Sequence, residues 1–553
     1  MSAIDGYLAR PWLAHYQDGV PATLEVPCES VPQAFDAAAE RAGQRPAVVF
    51  YGRSLSYREL REATDRLANA LADLGVKKGE RVALYLVNSP QFIIAYFAAL
   101  KCGAVVTPIS PVYTSHEVRH QLLDSGARAI VCQDILYEKV AKSGAQLDLA
   151  IVTNVNEYLP ALKRLFSRKA EVPANVLWLQ DLLRKYAPQP PAVPIDPASD
   201  LAALPYTGGT TGNPKGVMLT HRNLIAAQLA ARAWYPALQP GKEVSLAFLP
   251  FFHIYGQVLI MFNGLREGNL LVLFTNADTE AIIAAMERYQ ATVFYGVPTL
   301  YEYLKDHKDT DKANWRRLKI VGSGADTLHE STMRDWQRRT GSTIIEGYGM
   351  SETCAASHIN PLQRAKTGSF GCPLPNVNAA VVDPQTLEFV APGETGELVL
   401  SGPNVMQGYW QRPEENAHAF IERAGQRWMR TGDIVRMDDE GYFRFYDRAK
   451  DLIKFKGLSI FAKDVEDALY RHPQVKAAGV IGVPDAAVGQ RIKAIVVLQG
   501  EARGKVSEDE IRNYCREQLA EYKVPHIVEF RGELPKTDVG KVSRRELREE
   551  GAG

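Results

Sequence analysis

Tyr206-Thr-Gly-Gly-Thr-Thr-Gly-Asn-Pro-Lys-Gly-Val217 lies between an apolar strand candidate, Leu201 to Pro205, and a helix expected to begin near Thr220. Glycines let backbone N–H groups converge on phosphate oxygens, threonine hydroxyls add donors, and Lys215 adds charge. The stretch therefore reads as a phosphate-binding loop. No glycine stands in the register of a G-x-x-x-x-G-K-[ST] loop, which excludes the P-loop NTPases. Gly322-Ser-Gly324 is followed by Ala325, Asp326 and Thr327, so it is not a dinucleotide fingerprint.

Working outward, Ser56-Tyr-Arg-Glu59 reads as a capping box, followed by Leu60, Ala63, Leu67, Leu71 and Leu74 at helical spacing and Gly75 as a stop. Arg81 to Leu86 is strand-like and Pro90 to Leu100 helical. Thr292 to Tyr295, Leu318 to Val321 and Thr343 to Ile345 continue the alternation. Alternating strands and helices predict an α/β fold of layered subdomains with parallel strands, whose ligands sit at strand ends. From about Val377 shorter strands with frequent turns predict a β-rich subdomain, as in Gly393 to Leu400. After Arg448 a smaller α+β unit is expected, with helices near Lys463 to Arg471 and Ser507 to Glu521 and strands near Ala477 to Gly482 and Ile492 to Leu498. The boundary is placed near Lys450, giving domains 1–449 and 450–553.

The 553 residues carry 64 Lys plus Arg and 64 Asp plus Glu, so no net field draws nucleic acid. The start carries Asp5 and Arg10 and lacks a secretory signal's apolar stretch. Apolar runs such as Phe92 to Leu100 fall short of the roughly 20 residues needed to span a bilayer. Six cysteines without C-x-x-C pairs argue against a zinc site or a disulfide framework and suit a reducing cytoplasm. Leu159 to Lys169, where Lys163, Arg164, Arg168 and Lys169 interleave with Leu162, Leu165 and Phe166, reads as a solvated helix face. Peripheral contact with an anionic inner membrane surface is its other reading.

The loop at Tyr206 to Val217 resembles the AMP-binding signature of the adenylate-forming superfamily of acyl-CoA synthetases, luciferases and adenylation domains. Gly322-Ser-Gly-Ala-Asp-Thr327, Glu346-Gly-Tyr-Gly-Met-Ser-Glu-Thr353, Arg430-Thr-Gly-Asp433, Asp447-Arg-Ala-Lys-Asp-Leu-Ile453 and Pro535-Lys-Thr-Asp-Val-Gly-Lys541 resemble its remaining motifs, in order and over nearly the whole chain. The opening Arg10 to Tyr16 and Gly19 to Ala22 resemble bacterial long-chain fatty-acid:CoA ligases.

The resemblance implies ATP, magnesium and coenzyme A. It carries over Thr207, Gly208, Gly209, Thr210, Thr211, Gly212 and Lys215 as phosphate-loop contacts, and Gly324, Ala325, Glu346, Gly347 and Gly349 as nucleotide contacts. By the same analogy Tyr348 stacks on adenine and Asp433 accepts from the ribose hydroxyls. Ser351 donates to the α-phosphate, Glu352 holds magnesium, and Lys541 stabilises the adenylation transition state. His253 orients the carboxylate at the mouth of the acid pocket, and Arg448 joins the catalytic set. Lys450 aligns with the family's hinge, about which the small domain rotates so that Lys454-Phe-Lys-Gly457 lines the coenzyme A channel. Ser459, Ala462 and Gln490 depart from the residues frequent in relatives.

Val258, Met261, Phe262, Val297 and Met350, near the expected acid pocket, are apolar, as a hydrocarbon chain needs. The expected activity is an ATP-dependent medium- or long-chain acyl-CoA ligase. The alternatives are an aryl-CoA ligase, an acyl-AMP ligase loading a carrier protein, and a non-catalytic binding protein. Small molecules are the expected partners, with a homodimer left open.

Overall fold

The fold is that of a computed structural model, which describes residues 2–160, 169–207, 214–456, 458–485, 487–502, 504–535 and 542–551. Gly208, Gly209, Thr210, Thr211, Gly212, Gly457, Lys541 and most of the basic Leu159 to Lys169 segment lie outside the described residues. Two compact units emerge. One comprises Trp12–Asn378 and Ser401–Phe420, the other Met1–Pro11, Ala379–Leu400 and Ile421–Gly553.

The first unit carries two sheets. One runs Cys372–Pro373, His358–Ile359, Ile345–Tyr348, Ile320–Ser323, Val293–Gly296, Val244–Ala247, Leu270–Leu273, Pro46–Phe50 and Arg53–Ser56. It is parallel through its centre and antiparallel at both ends. The other runs Gly408–Tyr409, Lys215–Thr220, Leu201–Ala203, Val105–Pro108, Arg81–Tyr85, Ala129–Gln133, Leu149–Thr153 and Leu177–Trp178, with Tyr206–Thr207 paired to Lys215–Thr220. Asn88 Nδ2 joins the sheets' loops by donating to Ala247 O at 3.1 Å and Leu249 O at 2.8 Å.

Local sequence explains the helices. Ser56 Oγ accepts from Glu59 N at 3.2 Å while Glu59 Oε2 accepts from Ser56 N at 2.7 Å, so the expected capping box starts the helix Tyr57–Asp73. Leu60, Leu67 and Leu71 are buried on one face, each stabilising the fold by roughly 1.5–3 kcal/mol. The helix Pro90–Lys101 is buried along its whole length. Its terminal Lys101 is therefore neutralised internally, by Asp36 at 2.5 Å and by Asp65. The expected strand at Thr343 to Ile345 forms later, as Ile345–Tyr348, because its parallel register begins at Gly322↔Ile345. Tyr348 thereby becomes the strand's last residue.

In the second unit a β-rich sheet contains Asn378–Val382, Thr395–Ser401, Phe420–Arg423, Gln426–Met437 and Phe443–Arg448. A further sheet contains Ile453–Phe455, Leu458–Ile460, Val475–Asp485, Gly489–Leu498 and Ile527–Phe530, accompanied by the helices Ala462–Tyr470, Glu508–Gln518 and Arg544–Gly551. Val465, Leu469, Val480, Ile492 and Ile511 form the core of this α+β part. The fold is mixed α/β, as the alternation of elements predicts. No helix among the described residues is long and apolar enough to cross a membrane.

Candidate active site

In the first unit an open cavity lies where the parallel strands Ile320–Ser323 and Ile345–Tyr348 end, with His253, Gly324, Ala325, Gly347, Tyr348 and Gly349 in its lining. Strand ends of this kind are where open α/β sheets place ligands. Backbone shape dictates part of the sequence. A Cβ at Gly349 would stand 1.4 Å from Ala355 O, so only glycine lets these segments approach. Ala325 sits at φ +73, a left-handed conformation uncommon for a residue with a Cβ.

Tyr348 is half-buried, with the Phe370 ring 4.6 Å away and tilted by 30°. His358 packs edge-on against both rings, and burial holds it down to about 3, so it stays neutral beside the cavity. Glu346 Oε1 accepts from Leu328 N at 3.1 Å, which makes this glutamate a brace for the cavity floor. Ser351 and Glu352 follow in the short turn Ser351–Thr353, closed by Cys354 at φ +54. Glu352 is 6% exposed and its Oε1 accepts from Tyr409 Oη at 2.8 Å.

Thr207 and Lys215 face one another in the hairpin that flanks Gly208 to Gly212. Lys215 Nζ lies 3.4 Å from Glu415 and 5.4 Å from the centre of the Tyr409 ring. Tyr409 thus touches both the candidate phosphate lysine and the candidate metal carboxylate. The hairpin's base is fixed from the side. Tyr206 Oη donates to Asp124 at 2.7 Å, Arg412 pairs with Asp124, and His120 Nε2 lies 3.0 Å from Pro214 O. Neither Tyr409 nor Glu415 is found by sequence reasoning. Tyr409 lies on Gly408–Tyr409, a strand too short to register by periodicity, and Glu415 on the short helix Pro413–Ala419.

His253 lines the cavity, and its Nδ1 accepts from Tyr255 N at 3.3 Å. The wall around it corrects the expected apolar set. Of Val258, Met261, Phe262, Val297 and Met350, the lining includes Met350, together with Leu259, Tyr235, Tyr255 and Tyr295. Gly256–Phe262 forms a π-helical turn, which buries Val258, Met261 and Phe262 in the core and gives Leu259 to the cavity. The pocket wall is thus substantially phenolic. Tyr235 and Tyr295 hydrogen-bond each other, and burial keeps both phenols protonated.

In the second unit Asp433 is 1% exposed, and Arg448, its cross-strand partner, places Nε 2.7 Å from Asp433 Oδ1. Lys454 is exposed on the next strand, and its backbone N–H donates to Gln490 Oε1 at 2.8 Å. Gln490, a departure from the frequent residue, therefore holds the main chain of the Lys454 segment. Ala462 begins the helix Ala462–Tyr470. The structure thus groups His253, Gly324, Ala325, Gly347, Tyr348 and Gly349 around one cavity, continues into Ser351 and Glu352, and pairs Asp433 with Arg448.

Residues 35–410 match the AMP-binding enzyme family, and residues 464–541 match the AMP-binding enzyme C-terminal domain. The chain belongs to the AMP-binding enzyme family. It is 37% identical to a long-chain-fatty-acid–CoA ligase of Bacillus subtilis strain 168, covering 98% of both chains. It is 35% identical to a feruloyl-CoA synthase of an Amycolatopsis species, over 91% of this chain and 95% of that protein. Among solved structures it resembles ATP-bound MatB of Rhodopseudomonas palustris, with a TM-score of 0.83 and 30% identity over 95% of this chain and 99% of that one. The AMP-binding match includes the cavity, the Tyr206–Val217 loop and Tyr409.

Proposed function

We propose that this protein is an AMP-forming acid–CoA ligase that activates a medium- or long-chain fatty acid. The observation that supports it most is full-length similarity to long-chain ligases, together with an open cavity at the strand ends bearing His253 and Tyr348. In the first step an oxygen of the substrate carboxylate attacks the α-phosphorus of ATP and pyrophosphate leaves, giving the acyl-AMP. In the second, the thiolate of coenzyme A attacks the acyl carbon and AMP leaves.

Each residue has a task in that sequence. Gly208 to Gly212, with Thr207 and Lys215, hold the ATP phosphates, and Ser351 donates to the α-phosphate. Tyr348 stacks on adenine, with Gly324, Ala325, Glu346, Gly347 and Gly349 shaping the floor. Asp433 accepts from the ribose hydroxyls, with Arg448 orienting it. His253 orients the carboxylate, and Lys541 stabilises negative charge as the phosphorus is attacked. Rotation about Lys450, the boundary between domains 1–449 and 450–553, would bring Lys454 and Gly457 to coenzyme A.

The buried Glu352 carboxylate, steadied by Tyr409 beside Lys215, is a hard oxygen donor that would hold a magnesium ion beside the ATP phosphates. When bound, the ion would neutralise phosphate charge. A second reading, an aryl-CoA ligase, is favoured by the Tyr235, Tyr255 and Tyr295 wall, because phenols stack well on aromatic acids.

AMP release measured with ATP, magnesium and acids from acetate to octadecanoate, plus benzoate and cinnamate types, tests the proposal with and without coenzyme A. Turnover on fatty acids that requires coenzyme A is expected, and is expected to vanish in Lys541→Ala. Turnover on aryl acids alone sinks the fatty-acid reading. Acyl-AMP that accumulates regardless of coenzyme A points to a carrier-protein acceptor.

A further inference from the structure

The acid cavity holds a hydroxyl, that of Ser323, which the proposed roles leave unused. Ser323 is the last residue of the strand Ile320–Ser323, in parallel register with Gly296 on one side and Glu346 on the other. It lines the cavity and is 2% exposed, yet its Oγ has no hydrogen-bond partner among the described residues. The phenols around it are all engaged. Tyr235 and Tyr295 bond each other, Tyr255 Oη donates to Gly296 O at 3.3 Å, and Tyr301 Oη donates to Gly322 O at 2.6 Å.

A buried hydroxyl without a partner is destabilising, because it has surrendered its hydrogen bonds to water and received none in return. Such a group persists at low stability cost only if something else fills the vacancy. The space beside Ser323 is the space the acid is proposed to occupy. A saturated hydrocarbon carbon lying there would leave Oγ unsatisfied, whereas an oxygen would complete it.

We infer that Ser323 is a specificity-determining residue whose hydroxyl hydrogen-bonds an oxygen atom of the bound acid. The inference rests on the acid–CoA ligase reading and refines which acids that site prefers. Two oxygens qualify, one on the carboxyl group and one on a hydroxyl or oxo substituent of the chain. Both present the same acceptor chemistry to Oγ.

The test compares wild type with Ser323→Ala and Ser323→Thr by acid-dependent ATP–pyrophosphate exchange, using hexadecanoate and its 2-hydroxy, 3-hydroxy and terminally hydroxylated forms. Ser323→Ala is expected to raise the acid KM on the order of tenfold, the effect of losing one hydrogen bond. The KM for ATP stays unchanged, and Ser323→Thr retains most of the acid affinity. Because the hydroxyl has no partner among the described residues, the Tm of Ser323→Ala is expected to equal or exceed that of wild type.

An equal rise for every acid assigns the contact to the carboxyl oxygen. A rise confined to one hydroxylated isomer assigns it to the chain. An unchanged acid KM, or a change in the KM for ATP alone, overturns the proposal. If the wild type uses aryl acids and no fatty acid, the fatty-acid reading fails while the same comparison on aryl acids still decides the role of Ser323. Exchange with no acid at all overturns both.

Discussion

Around Tyr348 the first unit relies on close backbone approach and ring packing: Gly349 against Ala355, Tyr348 against Phe370, and a neutral His358 beneath them. Around Asp451 the second unit relies on charge. Arg544 reaches Asp447 at 2.8 Å, Asp451 at 3.3 Å and Glu466 at 2.6 Å, and Arg548 adds a 2.5 Å contact to Asp451. A packed pocket has one arrangement that fills space, which suits a site proposed to hold a planar base in place. Along the Asp447 to Asp451 segment one cation is shared among several carboxylates. That suits a stretch proposed to carry the hinge at Lys450.

The largest expected effect breaks the charged side of this comparison. Asp447 is fully buried and Arg544 largely so, so Arg544→Met would leave clustered carboxylates without their cation. The second unit should lose about 3–5 kcal/mol of stability. Calorimetry should show its transition falling while that of the first unit holds. A profile unchanged from wild type would mean that packing, not charge, secures this segment.

A smaller effect probes the packed side through pH. His221 is buried with Nδ1 accepting from Val31 N at 3.2 Å, and burial depresses it from 6.5 to about 4. The folded state thus favours the neutral ring, whereas the unfolded chain takes up a proton below about pH 6.5. The stability this group contributes is present above that pH and is lost as pH falls toward 4, amounting to about 3 kcal/mol. Chemical denaturation between pH 7 and 4 measures it, and His221→Asn should flatten that part of the profile. An equally steep profile in the variant would assign the acid sensitivity to carboxylates such as those around Arg544.

Much of this architecture can be read from local pattern. The Ser56 capping box, the Pro90 helix and the alternation around Leu318 and Thr343 follow from periodicity and caps, which neighbours three or four residues apart determine. The candidate site was legible where it falls within contiguous motifs, as with Glu346 to Glu352. It was not legible where partners meet over long separations, as Tyr409 meets Glu352 and Arg544 meets Asp447. The tyrosine wall is illegible for the same reason, since Tyr235, Tyr255 and Tyr295 come from separate segments. The π-helical turn Gly256–Phe262 puts Leu259 in the cavity lining, and a 3.6-residue period does not report that placement. Ser323 lies inside the Gly322 to Thr327 motif, but only the fold shows its hydroxyl to be buried without a partner among the described residues.

The smallest expected effect sharpens the comparison at a place beside the phosphate-loop hairpin where the packed unit also uses charge. Tyr409 stands between Lys215 and Glu352 on the strand Gly408–Tyr409, registered against Val217 at the base of the phosphate loop. Its ring is packed and its hydroxyl fixes one carboxylate oxygen, so ring and hydroxyl can be separated by Tyr409→Phe. Hydrogen bonds to charged groups contribute roughly 1.5–3 kcal/mol, and the unfixed carboxylate can recover part of that from water. The magnesium concentration for half-maximal pyrophosphate exchange should therefore rise by about tenfold or less. Binding of ATP without magnesium and the KM for the acid should stay unchanged. If metal-free ATP binding weakens instead, Tyr409 acts through Lys215 and the phosphate loop. The carboxylate would then be held by its packed turn alone, making the first unit still more dependent on shape than the second.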